Sequence, residues 1–274
     1  FDPALLERAE RRDMLREAFV AALAAGELEL HVQPQLDRRT GLLDGGEALI
    51  RWHSPRLGRW VPPPEILAAA GEAGLLPELD LWVLRSAAAL QKSWLGMPGA
   101  PPRLGINISS VTLHDPRFAQ QLCAVLEAEG LPAEALEIEI PEDLAVRDLP
   151  GVARTMGAIH EIGVPLALDD FGAGHSNLTH VVNLPVQRLK LDRSNVALLP
   201  DDPKAYAILR TTMAMARSMG IEVIAEGVET EAQAEALARL GCHVIQGWLI
   251  AKAMPPRDLP ALFAPRPVAQ VAAG

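Results

Sequence analysis

Apolar positions along this chain recur in two alternating rhythms. Short runs of strand length, rich in Val, Ile and Leu, fall at Leu28–Leu36, Glu47–Trp52, Leu104–Ile108, Leu136–Ile140, Pro165–Asp169, Arg188–Asp192, Ile221–Ala225 and Val244–Gln246. Longer stretches with apolar residues three and four apart separate most of them: Pro64–Ala73, Leu79–Trp94, Pro116–Glu129, Val152–Ile162, Lys204–Met219 and Glu231–Leu240. Gly130, Gly163, Gly220 and Gly241 stand just beyond the last turns of four of these, where helices commonly stop. At the start of the chain, Leu5, Leu6, Met14, Leu15, Phe19 and Leu23 keep helical spacing among arginines and glutamates. That pattern predicts a linker helix over residues 1–14 followed by a first packed helix.

Strands alternating with helices predict parallel βαβ units. Eight strands in about 240 residues match a closed (β/α)8 barrel, with a doubly wound open sheet as the alternative. The connection Asp37–Gly46 is Gly-rich and too short for a helix. The first two strands are therefore expected to form a hairpin, so that one strand runs antiparallel to the rest. The expected fold is α/β, a modified TIM barrel with one antiparallel strand. One domain over 15–263 is expected, with a poorly ordered Pro/Ala-rich tail over 264–274. Opening on Phe1-Asp2-Pro3, without Met, suggests a piece excised from a longer protein.

Composition narrows this little. At 49% hydrophobic and a mean hydropathy of +0.13, the chain has enough apolar side chains for a large core. Its longest apolar runs are too short to span a bilayer, and no secretory signal opens it. Cys123 and Cys242 lack metal-ligand spacing and suit a reducing compartment, so a cytoplasmic location is expected, with any membrane anchor in regions absent from this sequence. A net charge of −10 disfavours binding to a DNA or RNA polymer. It leaves room for a small phosphate ligand where a metal inverts the local field.

The chemistry lies at the strand ends. Leu166-Ala-Leu ends in two adjacent carboxylates, Asp169 and Asp170, and breaks into a loop with Gly172 and Gly174. Alone, this pair is either a solvated turn or half of a cation site, because neighbouring acids repel unless one is protonated or a cation lies between them. Other strands end the same way: Asn107, Glu139, Lys190, Glu226 and Gln246 close successive runs. In a barrel those ends converge on one face. On the second strand Glu47, Leu49 and Arg51 share a face by alternation. Hard oxygen ligands without a Cys or His cluster suit Mg2+ or Mn2+. Two such ions roughly 3.5–4 Å apart are the usual equipment for in-line attack on a phosphate ester. Glu137 shares a strand face with Glu139, so one of them is expected either to depart from simple in/out alternation or to lie beyond the barrel rim, and the sequence leaves open which.

Taken together these motifs resemble the EAL family of cyclic di-GMP phosphodiesterases, over roughly Leu15 to Phe263. The segments that carry the resemblance are Gln33-Pro34, Glu47-Ala-Leu-Ile-Arg-Trp52, Asn107-Ile-Ser109, Glu139-Ile-Pro-Glu142, Asp169-Asp-Phe-Gly-Ala-Gly174, Lys190-Leu-Asp192, Glu226-Gly-Val-Glu229 and Gln246-Gly247. The resemblance implies hydrolysis of cyclic di-GMP to the linear dinucleotide pGpG with two Mg2+ or Mn2+ ions. It implies Glu47, Asn107, Glu139, Asp169, Asp170 and Glu226 as metal ligands, and Lys190 as the residue orienting the attacking water. Arg51 would grip a substrate phosphate, with Gln33, Leu49 and Gln246 nearby. Glu142 would steady the loop after Asp170, and Glu229 would support the rim near Glu226. A homodimer, and an upstream GGDEF or sensory domain, are also implied. The chain departs from the family pattern at Val32, Gly71, Pro141, His175, Asn177 and Ala253, which bears on loop packing and dimer contacts more than on the ligands. The histidines, His175 and His180 included, show no ligand spacing, and Gly172-Ala-Gly174 lacks the dinucleotide-cofactor spacing. Trp52 and Trp60 can each either stack on guanine or pack.

Overall fold

The computed structural model of the chain describes residues 3–142, 144, 149–172 and 184–265. It opens on one continuous helix, α1 (Pro3–Ala25), where the sequence suggested two. Ala18, Phe19 and Ala22 of this helix are buried in a small side core with Trp52, Val61, Ile66, Ala69 and Leu79. Phe19 meets Trp52 edge-on at 6.1 Å, and the Trp52 indole N–H donates to Glu27 at 3.2 Å. With both its face and its polar atom engaged, Trp52 is a packing residue.

The strands and other α-helices among the described residues begin with β1 (Leu28–Asp37), β2 (Leu42–Ser54), β3 (Arg59–Val61), α2 (Pro63–Ala73), α3 (Leu76–Trp94), β4 (Leu104–Asn107), α4 (Ser110–His114), α5 (Phe118–Glu129) and β5 (Leu136–Pro141). After them come α6 (Leu149–Ile162), β6 (Leu166–Phe171), β7 (Arg188–Leu191), α7 (Arg193–Val196), α8 (Pro203–Met219), β8 (Glu222–Ala225), α9 (Glu231–Leu240) and β9 (Val244–Gln246). The strands follow the order β1-β9-β8-β7-β6-β5-β4-β2, and β1 pairs with β2 to close the ring, with β3 on the outer edge of β2. β1 is antiparallel to both its neighbours, and the other ring pairs are parallel. Closure rules out the open sheet and gives the expected barrel with one antiparallel strand.

Two local differences have simple causes. β2 begins at Leu42, so most of the expected Gly-rich connection is strand. Gly45 and Gly46 keep the ladder with Gln35 and Pro34 because a Cβ there would meet Gln35 Oε1 at 2.7 Å and Val32 at 2.8 Å. The sequence did not mark β3, α4 and α7, which are too short to express a period.

Along β5 and β7 the alternation separates two environments. Ile138, Ile140, Leu189 and Leu191 face the helices and join the main apolar core with Leu84, Leu122, Met156, Leu209 and Leu237. Glu137, Glu139, Arg188 and Lys190 take the opposite parity and are buried inside the barrel. Neither Glu137 nor Glu139 breaks the alternation; they lie at different heights of the same interior. Among the described residues no helix is long and apolar enough to cross a membrane.

Candidate active site

Lys190 projects from β7 into the C-terminal end of the barrel and is fully buried. Its Nζ lies 2.7 Å from Glu139, 2.8 Å from Glu226, 3.1 Å from Asp169 and 3.4 Å from Glu47. Burial alone would depress an ammonium pKa, but these four carboxylates hold it well above the ordinary lysine value. Asn107 at the end of β4 donates to Glu47 at 2.8 Å and to Glu139 at 3.2 Å, which leaves its carbonyl oxygen for a cation. Gln246 on β9 donates to Glu47 at 2.6 Å and to Gln33 at 3.3 Å, and accepts from Gln35 at 2.9 Å. Strand ends, with Glu47 from within β2, thus bring five of the expected ligands into one cluster.

The sixth, Asp170, arrives by a different device. Between Leu168 and Phe171 the β6–β7 register slips, so Asp169 and Asp170 together oppose Lys190. Adjacent strand residues normally face opposite sides, and a bulge re-aims one of them. Here Asp170 takes a left-handed backbone, φ +56°, at a cost on the order of 1 kcal/mol for a residue with a side chain. On the next turn Gly172 N–H donates to Glu142 at 3.0 Å.

The charges do not balance without cations. Burial, together with Glu47 and Asp169, pushes Glu226 up to about 7 against the pull of Lys190. Burial, with Glu47 and Asp169 nearby, carries Glu139 well above the carboxylate range, and burial with Asp169 raises Asp170. Burial also acts on Glu47, but Lys190, Gln246 and Asn107 outweigh it and hold that carboxyl low. Lys190 is the only cation against Asp169 Oδ1 and Glu226 Oε1 among the described residues, and Glu139 Oε1 is buried with no hydrogen-bond donor among them. The ligand atoms of Glu47, Glu139 and Asp169 lie within 4.8 Å of one another, as do those of Asp169, Asp170 and Glu226. Two overlapping triads sharing Asp169 can each hold a hard divalent ion, and the unpartnered Glu139 Oε1 fits that occupant.

The other expected residues fall around this centre. Glu47, Leu49 and Arg51 share a face of β2 opposite Gln33, His31 and Glu29 of β1. The Arg51 guanidinium is half-buried and donates to Ile50 O at 2.8 Å. Glu229 is exposed beyond Glu226, and its backbone N–H donates to Gln233 at 2.8 Å. Trp60 is 54% exposed on β3, edge-on to His53 and His31. His175, Asn177 and His180, and the tail from residue 266, lie outside the described residues.

Sequence reasoning missed three participants. Asp80 on α3, 4% exposed, accepts from the Ser109 N–H at 3.1 Å and its hydroxyl at 2.5 Å, pinning the turn after Asn107. Beneath the site Arg188 meets Glu137 at 3.4 Å, Glu222 at 2.9 Å and Asp44. Asn195 on α7 donates to Gly172 O at 3.0 Å. No sequence signal marks these, because each contact is made between distant segments.

Comparison with known proteins agrees with this geometry. Residues 12–253 match the EAL domain family model. The chain is 35% identical over 260 residues to cyclic di-GMP phosphodiesterase PA2567 of Pseudomonas aeruginosa, covering 94% of this chain and 44% of that protein. It is 32% identical to MucR of the same organism, a bifunctional diguanylate cyclase/cyclic di-GMP phosphodiesterase, over 96% of this chain and 38% of MucR. It therefore spans less than half the length of either relative. The solved structure of the PaMucR phosphodiesterase in complex with c-di-GMP superposes with a TM-score of 0.84 at 32% identity, covering 90% of this chain and 99% of that one. By its sequence match, its barrel and its carboxylate-lined mouth, the chain belongs to the EAL domain family.

Proposed function

We propose that this domain hydrolyses cyclic di-GMP to the linear dinucleotide pGpG. One observation carries the reading: two carboxylate triads overlap at Asp169, sharing a single ammonium and leaving Glu139 Oε1 buried without a donor. Mg2+ or Mn2+ ions held by Glu47, Asn107, Glu139, Asp169, Asp170 and Glu226 would supply Lewis acidity at the phosphate and acidify a water. The chain's own residues do the positioning. Lys190 stays charged in its carboxylate cage and orients the water towards phosphorus with its N–H groups. Arg51, on the same face of β2 as Glu47, offers a planar fork to a phosphate oxygen. Gln33, Leu49 and Gln246 line the approach. Glu142 holds Gly172 and so steadies the double-Asp turn, and Glu229 supports the rim. Water oxygen joins phosphorus, the ribose 3′-oxygen leaves with a proton, and no covalent protein intermediate is required.

The same reading makes the domain a cytoplasmic homodimer under the control of a GGDEF or sensory domain. MucR's bifunctional name supports the upstream partner, and two unpaired cysteines suit a reducing compartment. Sedimentation across a concentration series tests the dimer. For the activity, cyclic di-GMP is incubated with wild-type protein and Glu47→Gln, with Mg2+, Mn2+ or chelator, and separated by chromatography. pGpG is expected only from the wild type with metal. Intact cyclic dinucleotide under every metal condition would sink the reading.

A further inference from the structure

The turn that carries Asp169 and Asp170 has given up its place in the β6–β7 ladder. Between Leu168 and Phe171 the register slips, Asp170 is left-handed, and Gly172 is again left-handed at φ +88°. Such a backbone persists only where its surroundings fix it. The bonds that do so come from three segments. Asp192 N–H donates to Phe171 O at 3.2 Å. Glu142 accepts from Gly172 N–H at 3.0 Å, and Asn195 Nδ2 donates to Gly172 O at 3.0 Å. Gly172 is thus gripped on both its polar groups, from Glu142 just past β5 on one side and α7 on the other. The fit is close: a Cβ on Gly172 would lie 2.8 Å from Asn195 Nδ2.

We propose that Asn195 is a positioning residue for metal binding: its amide clamps Gly172 O and so holds Asp169 and Asp170 in ligating geometry before a cation arrives. The amide orientation follows from chemistry, since only the NH2 group can face a carbonyl oxygen. Asn195 touches neither substrate nor cation; it acts through the backbone two residues beyond Asp170. Groups that orient metal ligands typically change metal affinity about 10–100-fold when removed. This inference rests on Asp169 and Asp170 being metal ligands, as proposed above.

The test uses Asn195→Ala and Asn195→Asp. The second keeps the side-chain size but replaces the donor with an acceptor facing Gly172 O. Mn2+ affinity is measured by calorimetry without nucleotide, and hydrogen exchange of the 166–172 segment is measured without metal. Both variants should bind Mn2+ about tenfold more weakly. Exchange should rise in 166–172 and stay unchanged in β7 and α8. At saturating Mn2+ the turnover of both variants should return towards the wild-type value, whereas a merely structural lesion would not be rescued by metal. Wild-type Mn2+ affinity in both variants would overturn the proposal, as would exchange that rises throughout β7 and α8. If wild-type protein binds Mn2+ yet leaves cyclic di-GMP intact, the phosphodiesterase reading fails while the clamp is still decided by affinity and exchange.

Discussion

The barrel interior holds two charged layers raised on the same strands. In the lower one Asp44 of β2, Glu137 of β5 and Glu222 of β8 surround Arg188 of β7. Arg103 acts on Glu137, and Arg39 acts on Asp44 and Glu222 from the side. A few ångströms above, the same strands supply Glu47, Glu139, Lys190 and, just past β8, Glu226, and β6 adds Asp169 and Asp170. Below, Arg188 touches all three acids, Arg103 acts on Glu137, and Arg39, ion-paired to Asp37, acts on the other two. Above, five acids share one ammonium, with Arg51 more distantly felt by Glu47. Among the described residues the one buried carboxylate oxygen without a donor, Glu139 Oε1, is in the upper layer. A cluster in which every acid meets a guanidinium is a structural element; one in which five acids share a single ammonium is arranged for cations.

If that distinction is right, mutations in the two layers should change stability in opposite directions. Arg188→Met strands Asp44 and Glu137 inside the barrel without their cation. It is expected to lose about 3–5 kcal/mol in urea denaturation of the metal-free protein. A loss below about 1 kcal/mol would mean that the lower layer is not a closed ion group. Asp169→Asn removes one of the repelling acids and the ligand common to both triads. Hydrolysis should fall roughly a hundredfold or more, while the metal-free melting temperature rises because like-charge repulsion is relieved. A fall in melting temperature comparable to that of Arg188→Met would erase the comparison.

The two layers also differ in how far the sequence disclosed them. Asn107, Glu139, Lys190, Glu226 and Gln246 were legible because each ends an apolar run, and a barrel gathers strand ends on one face. Arg188 and Glu137 were not, because a charged residue inside a strand reads equally as an outward-facing one. Asp44 is harder still. It reaches Arg188 because β2 bulges where Gln35 faces Gly45 and Leu36 faces Leu43, which leaves Asp44 unpaired on the ladder. In the upper layer the acids at positions 169 and 170 were plain, but not the second bulge that lets neighbours converge. The barrel was readable from the alternation of strands and helices. β3 was not, since a three-residue strand has no period to detect.

A smaller perturbation probes how tightly the upper layer is built. Gly105 on β4 has no side chain where a Cβ would collide with Glu139 Oε1. Gly105→Ala should cost about 1–3 kcal/mol, the usual range for overpacking. It should also weaken Mn2+ binding, because the displaced carboxylate belongs to the first triad. Thermal denaturation with and without Mn2+ separates the two effects. An unchanged metal-induced shift would place Glu139 outside the ligand set.

The finest test is proton against metal. In the metal-free protein Glu226 is pushed up to about 7 by burial, with Glu47 and Asp169 reinforcing the shift and Lys190 opposing it. Its folded pKa lies above the ordinary glutamate value of 4.5. The folded state therefore binds more protons than the unfolded one between those values, and this group's contribution to metal-free stability grows as pH falls through that window. A cation at the Asp169–Asp170–Glu226 triad must displace that proton, so the same change in pH works against metal binding. From about pH 8 to about pH 6, one proton on a group near pH 7 lowers apparent Mn2+ affinity about tenfold. The stabilisation by a fixed Mn2+ concentration shrinks accordingly, and calorimetric titration at each pH measures both. Arg188→Lys, which keeps a cation in the lower layer, should show the same pH dependence as wild type, because the competing proton sits above it. An affinity that is flat across this range would remove Glu226 from the ligand set and leave the upper layer with a single triad.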